Sequence, residues 1–375
     1  MRVRYSVNQT AMSLLILLLS AIGLAQAQTL ETRAVVRSDA AAFFRNTIPQ
    51  IARLGDGRLF AVWGATAKVD GNGRIYGALS SDGAKTWSQP KLLIDDPKMD
   101  DGDPNILVDG DTVRVFSTRV RIPNDIKKAW TMMVKSADNG NTWSQPKEIF
   151  IPRQYTPGKQ HNGIRLRDGT YAMGISWDLW AEKGMAARTE GEMYLATGIL
   201  LSTDGENWTL HGNIYAQTED KVRPGFTNGL CEPSIVQLAD GEILMILRSG
   251  GPNHYETRSR DGGHSWTSPV PSTLTGANTP TALWRNERKP DEIVAVWNSN
   301  PLNRWPLVAA MSSNGGRIWS TPRILANPGR QVSYPGITQT LDGTFVAVWQ
   351  EALENSGRDI RCARFTREWL LGLSK

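Results

Sequence analysis

A chain of 375 residues that is 40% hydrophobic and 21% charged has enough apolar material to bury a large core, which excludes a disordered polypeptide. Its net charge of +5 comes from Lys and Arg scattered along the sequence rather than gathered in a run, so it gives no footing for nucleic-acid binding and is compatible with an anionic small ligand. Only Cys231 and Cys362 are present, far apart and without the paired spacing of a zinc or redox site; an exported chain could join them in a disulfide, but two buried free thiols are the expectation.

The first residues differ from the rest. Arg2 and Arg4 precede an apolar run from Leu14 to Leu24, and the small-residue pattern Ala25-Gln26-Ala27 follows. This reads as a secretory signal peptide over 1–27, cut before Gln28. The apolar run is too short to span a bilayer comfortably. Its loss, with Arg2 and Arg4, leaves a net charge of +3. The mature chain is expected to be exported, periplasmic or secreted, without stable membrane insertion, and monomeric.

From there the chain repeats. A strand, a turn and a second strand recur at 48–63 (IPQIARLGDGRLFAVW), 105–117 (NILVDGDTVRVFS) and 162–176 (NGIRLRDGTYAMGIS). They recur again at 231–251 (CEPSIVQLADGEILMILRSGG), at 281–297 with a longer turn, and at 336–349 (GITQTLDGTFVAVW). Asp-Gly pairs between β-rich runs mark hairpins, because both residues tolerate positive φ. In five units a second repeat follows: SSDGAKTW ending at Trp87, SADNGNTW at Trp143, STDGENW at Trp208, SRDGGHSW at Trp266 and SSNGGRIW at Trp319. In this box the Asp (Asn314 in the last copy) accepts backbone N–H bonds, Gly supplies positive φ and Trp buries an apolar face.

Successive box tryptophans lie 53 to 65 residues apart, about the length of four short strands with their loops. The expected fold is therefore all-β, a six-bladed β-propeller of four-stranded antiparallel blades around an axial pocket, with 28–375 as one domain. The sixth unit lacks a box and shows three clear strands, the last being DIRCARF at 359–365. The β-like TRAVVR at 32–37 is expected to pair into it and hide its edge.

The 231–251 hairpin places Glu232, at the start of its first strand, within one residue of standing opposite Arg248. Taken alone the pair reads as a structural salt bridge at the edge of a buried sheet. Repetition adds to it. Glu232 and Tyr334 both precede a Pro and lie eight residues before a turn Asp, Asp240 and Asp342, so both should face the axis. His161 and Asp103 begin the inner strands of the third and second units and are further axial candidates.

The five boxes match the Asp-box or BNR repeat, S-x-D-x-G-x-x-W, and with six hairpins the chain resembles the sialidase (neuraminidase) superfamily. The box argues fold more than function. The resemblance implies that Glu232 and Arg248 are the Glu and Arg of one active-site hairpin, that Arg304, shortly before the fifth box, is a second Arg, and that Tyr334 is the Tyr opening the last blade. It implies an acid/base at Asp70, in the loop after the first hairpin. Where the family has R-I-P, Ile48-Pro49 here follows Thr47, and the nearest upstream Arg is Arg45, two residues away on the same strand face.

In that reading Arg45, Arg248 and Arg304 clamp the carboxylate of a sialic acid with planar donor forks. Glu232 takes the phenolic proton as Tyr334 attacks, avoiding an anionic nucleophile beside the substrate's own charge. Asp70 protonates the leaving alcohol and later activates water. No cofactor or metal is expected. The partner is a sialoglycan or another acidic glycan. Two alternatives stay open: a lyase or hydrolase acting on another acidic sugar, with His161 facing the Tyr, and a non-catalytic glycan-binding propeller. Preference for polymeric substrates would come from loops such as 178–192.

Overall fold

The computed structural model describes residues 30–39, 42–68, 71–121, 129–152, 156–157, 161–179, 194–216, 228–276 and 278–373. The expected signal peptide, Asp70 and most of the 178–192 loop lie outside the described residues.

The described chain is almost entirely β, and all six hairpins form. In the first unit Arg45–Arg53 pairs with Leu59–Thr66, then Gly73–Ser80, then Lys91–Ile94, an antiparallel meander. The second unit repeats this with Met99–Asp109, Thr112–Arg121, Ala129–Ser136 and Lys147–Ile149. The third, fourth and fifth hairpins are built on Tyr171–Asp178, Ile243–Ser249 and Ile293–Asn298 and continue in the same way. The last joins Val332–Gln339, Phe345–Ala352 and Arg358–Phe365. Glu31–Val36 adds antiparallel to Arg358–Phe365, completing the last unit as its sequence required.

Four sheets result, of eight, nine, four and four strands, and none closes on itself among the described residues. The two large ones are pairs of meanders fused by short parallel contacts. Arg45 meets Arg358, and Tyr194 and Leu195 meet Asn228 and Gly229.

Packing explains the apolar runs. The middle of each hairpin's second strand is covered on both faces and is mostly apolar, as in Ile243–Leu247 of the fully buried Ile243–Ser249. The two-residue period of a strand divides its side chains between two neighbours. Ile243 and Met245 join a cluster with Ile199 and Leu201 of the third unit, while Leu244 and Ile246 join one with Ala295 and Val308 of the fifth. The same division recurs at each junction, including a cluster that joins Ile51 and Trp63 of the first unit to Val346 and Val348 of the last.

The box turns hold as expected. The Asp82 carboxylate accepts from the Lys85 and Thr86 amides and the Thr86 hydroxyl, and Asp138, Asp204 and Asp261 repeat the arrangement. The ring of Trp143 stacks on Phe60 at 5.4 Å and its indole N–H donates to Gly140. A short helix, Arg367–Leu371, follows the last strand, capped by the Thr366 hydroxyl and by left-handed Gly372. Cys231 and Cys362 are both buried and form no disulfide, as the sequence indicated.

These turns make stability depend on pH. Asp82, Asp204 and Asp261 titrate below the usual carboxylate range, chiefly through the Thr86 hydroxyl, the Asn207 groups and the Ser265 hydroxyl respectively. Because their folded values lie below the unfolded value of about 3.9, their contribution is complete above it and is lost as pH falls through the folded values. Burial holds Asp100 and Asp101 above their ordinary value, so these two act in the opposite sense. The urea midpoint should drop between about pH 4 and pH 2, and Asp204→Asn with Asp261→Asn should flatten that slope. An unchanged slope would show that the turns contribute none of it.

Candidate functional site

One backbone device recurs in four of the six units and aims the candidate residues. Ile48, Asp103, Glu232 and Tyr334 all have positive φ, at 50°, 52°, 49° and 56°, and each is followed by a Pro. At each the ladder gains one residue, with shifts between Thr47 and Gln50, Gly102 and Asn105, Cys231 and Ser234, and Ser333 and Gly336. These are β-bulges, in which two residues oppose one and the side chain is redirected. A left-handed backbone at a non-glycine residue costs on the order of 1–3 kcal/mol and persists only where its surroundings enforce it. Side chains of the preceding unit do so. The Ile48 amide donates to Gln350 Oε1 at 3.0 Å, and the Glu232 amide donates to Ser176 Oγ at 2.9 Å.

The bulge swings Glu232 into contact with Arg248. Cys231 is the residue directly opposite Arg248, yet Arg248 Nη1 donates to Glu232 Oε1 at 2.5 Å. Both side chains are buried, 2% and 5% exposed. Burial alone would depress the Arg248 pKa, but the charge of Glu232, with Cys231 and Tyr334, raises it well above its ordinary value. Arg248 therefore keeps its proton and its charge despite its burial. Glu232 Oε2 is buried with no hydrogen-bond partner among the described residues, which leaves one carboxylate oxygen open to a proton donor.

Asn278 ties two guanidinium groups together. Its Oδ1 accepts from Arg248 Nε and its carbonyl accepts from Arg304 Nη2, both at 2.8 Å. The Arg304 guanidinium in turn lies over the Tyr334 ring, 5.2 Å from its centre. Glu232, Arg248, Arg304 and Tyr334, from three different units, thus form one connected cluster. Asn278 escaped the sequence reading because a polar residue in a loop carries no periodic signal, although it shares the positive φ of the bulge residues, at 50°.

Arg45 is exposed, with its guanidinium 6.0 Å from the Phe44 ring. Its strand neighbour across the junction is Arg358, the parallel partner in register, and paired positions share a face. Arg358 is half-buried. Burial first, then the charges of Arg45 and Arg304, lower its pKa, while Tyr334 opposes them. Arg358 thus lies within electrostatic reach of both Tyr334 and Arg304. Sequence reasoning missed it because the residues it meets come from the other end of the chain. Asp70 lies outside the described residues.

A cavity of about 270 Å³ is lined by residues of all six hairpins, with Gln50, Ile106, His161, Ser234, Leu283 and Ile337 among its walls. His161 is 8% exposed, and its buried Nε2 has no hydrogen-bond partner among the described residues. Burial lowers its pKa to about 3, so the imidazole is neutral in ordinary conditions. Near Asp103, Asp101 is taken up by a forked pair with Arg119, both contacts at 2.8 Å.

Residues 57–347 match the BNR repeat-like domain. A sialidase of Bacteroides fragilis (strain YCH46) is 23% identical over 341 residues, 79% of this chain and 58% of that protein. A sialidase of Paraclostridium sordellii is 25% identical over 259 residues, 60% of this chain and 57% of that protein. The chain thus spans less than three-fifths of the length of these curated relatives. The solved structure of the Hadza microbial sialidase Hz136 superposes with a TM-score of 0.73 at 19% identity, over 90% of this chain and 69% of its own.

Removing one member of the buried pair should be far worse than removing both. Arg248→Met strands the Glu232 charge and should cost about 3–5 kcal/mol, whereas Arg248→Met with Glu232→Gln should recover much of the loss. Urea midpoints of the three proteins check this. Equal losses in the single and double variants would mean that the ion pair is not what the cluster rests on.

Proposed function

The chain belongs to the sialidase superfamily of BNR repeat-like proteins, and from that premise we propose that it is an exo-acting glycoside hydrolase releasing terminal sialic acid or a related 2-keto sugar acid. The observation that carries the proposal is the buried, unpartnered Oε2 of Glu232, beside an Arg-lined Tyr334 on an equivalent bulge. The junction-by-junction cores, with the last unit packed on the first, support a six-bladed ring in which these bulges converge on one axis.

The chemistry follows from charge. Arg248, Arg304 and Arg358 supply planar donors for a carboxylate attached at the anomeric carbon, and Arg358 replaces the arginine that Thr47 does not provide. Glu232 Oε2 accepts the phenolic proton while the Tyr334 oxygen bonds to the anomeric carbon and the glycosidic C–O bond breaks. The surrounding guanidinium groups stabilise the negative charge that develops on the phenolic oxygen. Asp70 gives its proton to the departing oxygen, then takes one from the water that displaces Tyr334, so the product keeps its anomeric configuration. The lyase alternative loses ground, because a His161 with a pKa near 3 is a weak base for a carbon acid.

Release of fluorophore from a 4-methylumbelliferyl sialoside tests this directly. Wild-type protein should release it, and Tyr334→Phe should lose at least about 10²-fold. Asp70→Asn should lose activity while retaining ligand binding, which a binding propeller would not show. Arg358→Ala should lower kcat/KM by about 10- to 100-fold, from the loss of one charge-assisted contact. Arg45→Ala should change it by less than about threefold. Folded wild-type protein inactive across the pH range would overturn the proposal, and the reverse order of Arg45 and Arg358 would overturn the assignment of the third arginine.

A further inference from the structure

Away from the axis, two imidazoles meet on the outer surface. His211 lies on the strand Thr209–Ile214 of the third unit, and His264 in the box turn of the fourth. Their rings are 4.5 Å apart and nearly perpendicular, at 84°, and the two Nδ1 atoms stand 3.3 Å from each other.

The neighbouring hydroxyl identifies the tautomer of His211. Thr209 Oγ1 contacts His211 Nε2 at 3.1 Å and also donates to the Leu201 carbonyl at 3.2 Å. A hydroxyl has one proton, and that bond uses it, so toward the imidazole the oxygen accepts. His211 therefore carries its proton on Nε2 and presents the Nδ1 lone pair to His264. An imidazole with one nitrogen anchored by hydrogen bond and the other bare is the arrangement found in metal-ligating histidines. His264 is exposed, so its proton can move to Nε2 with water as partner, leaving a second bare Nδ1.

The spacing agrees. Two bonds of about 2.0–2.1 Å at a tetrahedral centre place their nitrogens about 3.3 Å apart. The geometry points to a surface site for a divalent transition metal held by His211 Nδ1 and His264 Nδ1. No third His, Cys, Asp or Glu completes a ligand group among the described residues, so water fills the remaining positions. Copper should bind more tightly than nickel or zinc, in the general order of affinities for nitrogen ligands. The site bridges two units, so a bound ion cross-links the outer strand of one to the box turn of the next and stabilises the folded state by mass action.

The other two of the four histidines, His161 and His254, are buried, so this pair offers the accessible imidazoles. The test uses the full chain without an affinity tag, titrated with copper(II), nickel(II) and zinc(II) salts and followed by calorimetry. A paramagnetic resonance spectrum of the copper form should show coupling to two imidazole nitrogens, and copper should raise the Tm. His211→Ala and His264→Ala should each weaken copper binding at least about tenfold, and Thr209→Val, which keeps both ligands but releases the anchor, about 10- to 100-fold. Circular dichroism confirms that each variant is folded. Copper affinity unchanged in the His211→Ala/His264→Ala double variant, or a spectrum with a single nitrogen, would overturn the site and leave only a hydrogen-bonded histidine pair.

Discussion

The second strands of the repeat carry apolar side chains on both faces, and a strand of that kind is stable only when something covers each side. Hence no unit of this chain is self-sufficient. Met245 and its alternate neighbours need the third unit while Leu244 and Ile246 need the fifth, and the same demand passes along the chain until the last unit turns back on the first. The polar box turns lie outside this core and hold the third and fourth strands in place through short hydrogen bonds, as where Asp82 gathers the Thr86 amide and hydroxyl at 2.9 and 2.6 Å.

The candidate site sits where that apolar order is interrupted. A bulge with a left-handed residue and a Pro redirects one side chain in each of four inner strands, and the amide it frees at Ile48 and Glu232 is taken up by a side chain of the preceding unit. Strain in one unit is thus supported by its neighbour. The buried Glu232–Arg248 pair gains from the same arrangement, because its desolvation is offset by a contact of 2.5 Å and by Asn278, which carries the network on to Arg304 and the Tyr334 ring.

What could be read from the sequence follows the range of the interactions. Hairpins were legible because Asp-Gly turns set strand register locally, and this placed Glu232 opposite Arg248 to within the one residue that the bulge inserts. Tyr334 was legible by its equivalent spacing. Arg358 was not, because it meets Arg45 through a parallel contact between units that are adjacent in space and distant in sequence. Asn278 was not, because it acts through a side-chain oxygen and a carbonyl in a loop without periodicity. The helix Arg367–Leu371 is a single capped turn and a half, too short for an apolar period to register.

The strand Glu31–Val36 has one antiparallel partner, Arg358–Phe365, and Glu31 stands opposite Arg364. A ribosome adding roughly 5–20 residues per second needs on the order of half a minute to pass from one to the other. For that interval the first strand is an open edge in search of a partner. Its composition suits the wait: Glu31 and Arg33 are exposed and pair with each other at 3.0 Å, and charged side chains along an edge discourage pairing with foreign strands. The contact that completes the last unit thus joins two strands far apart in the chain, and the wait is set by the length of chain between them.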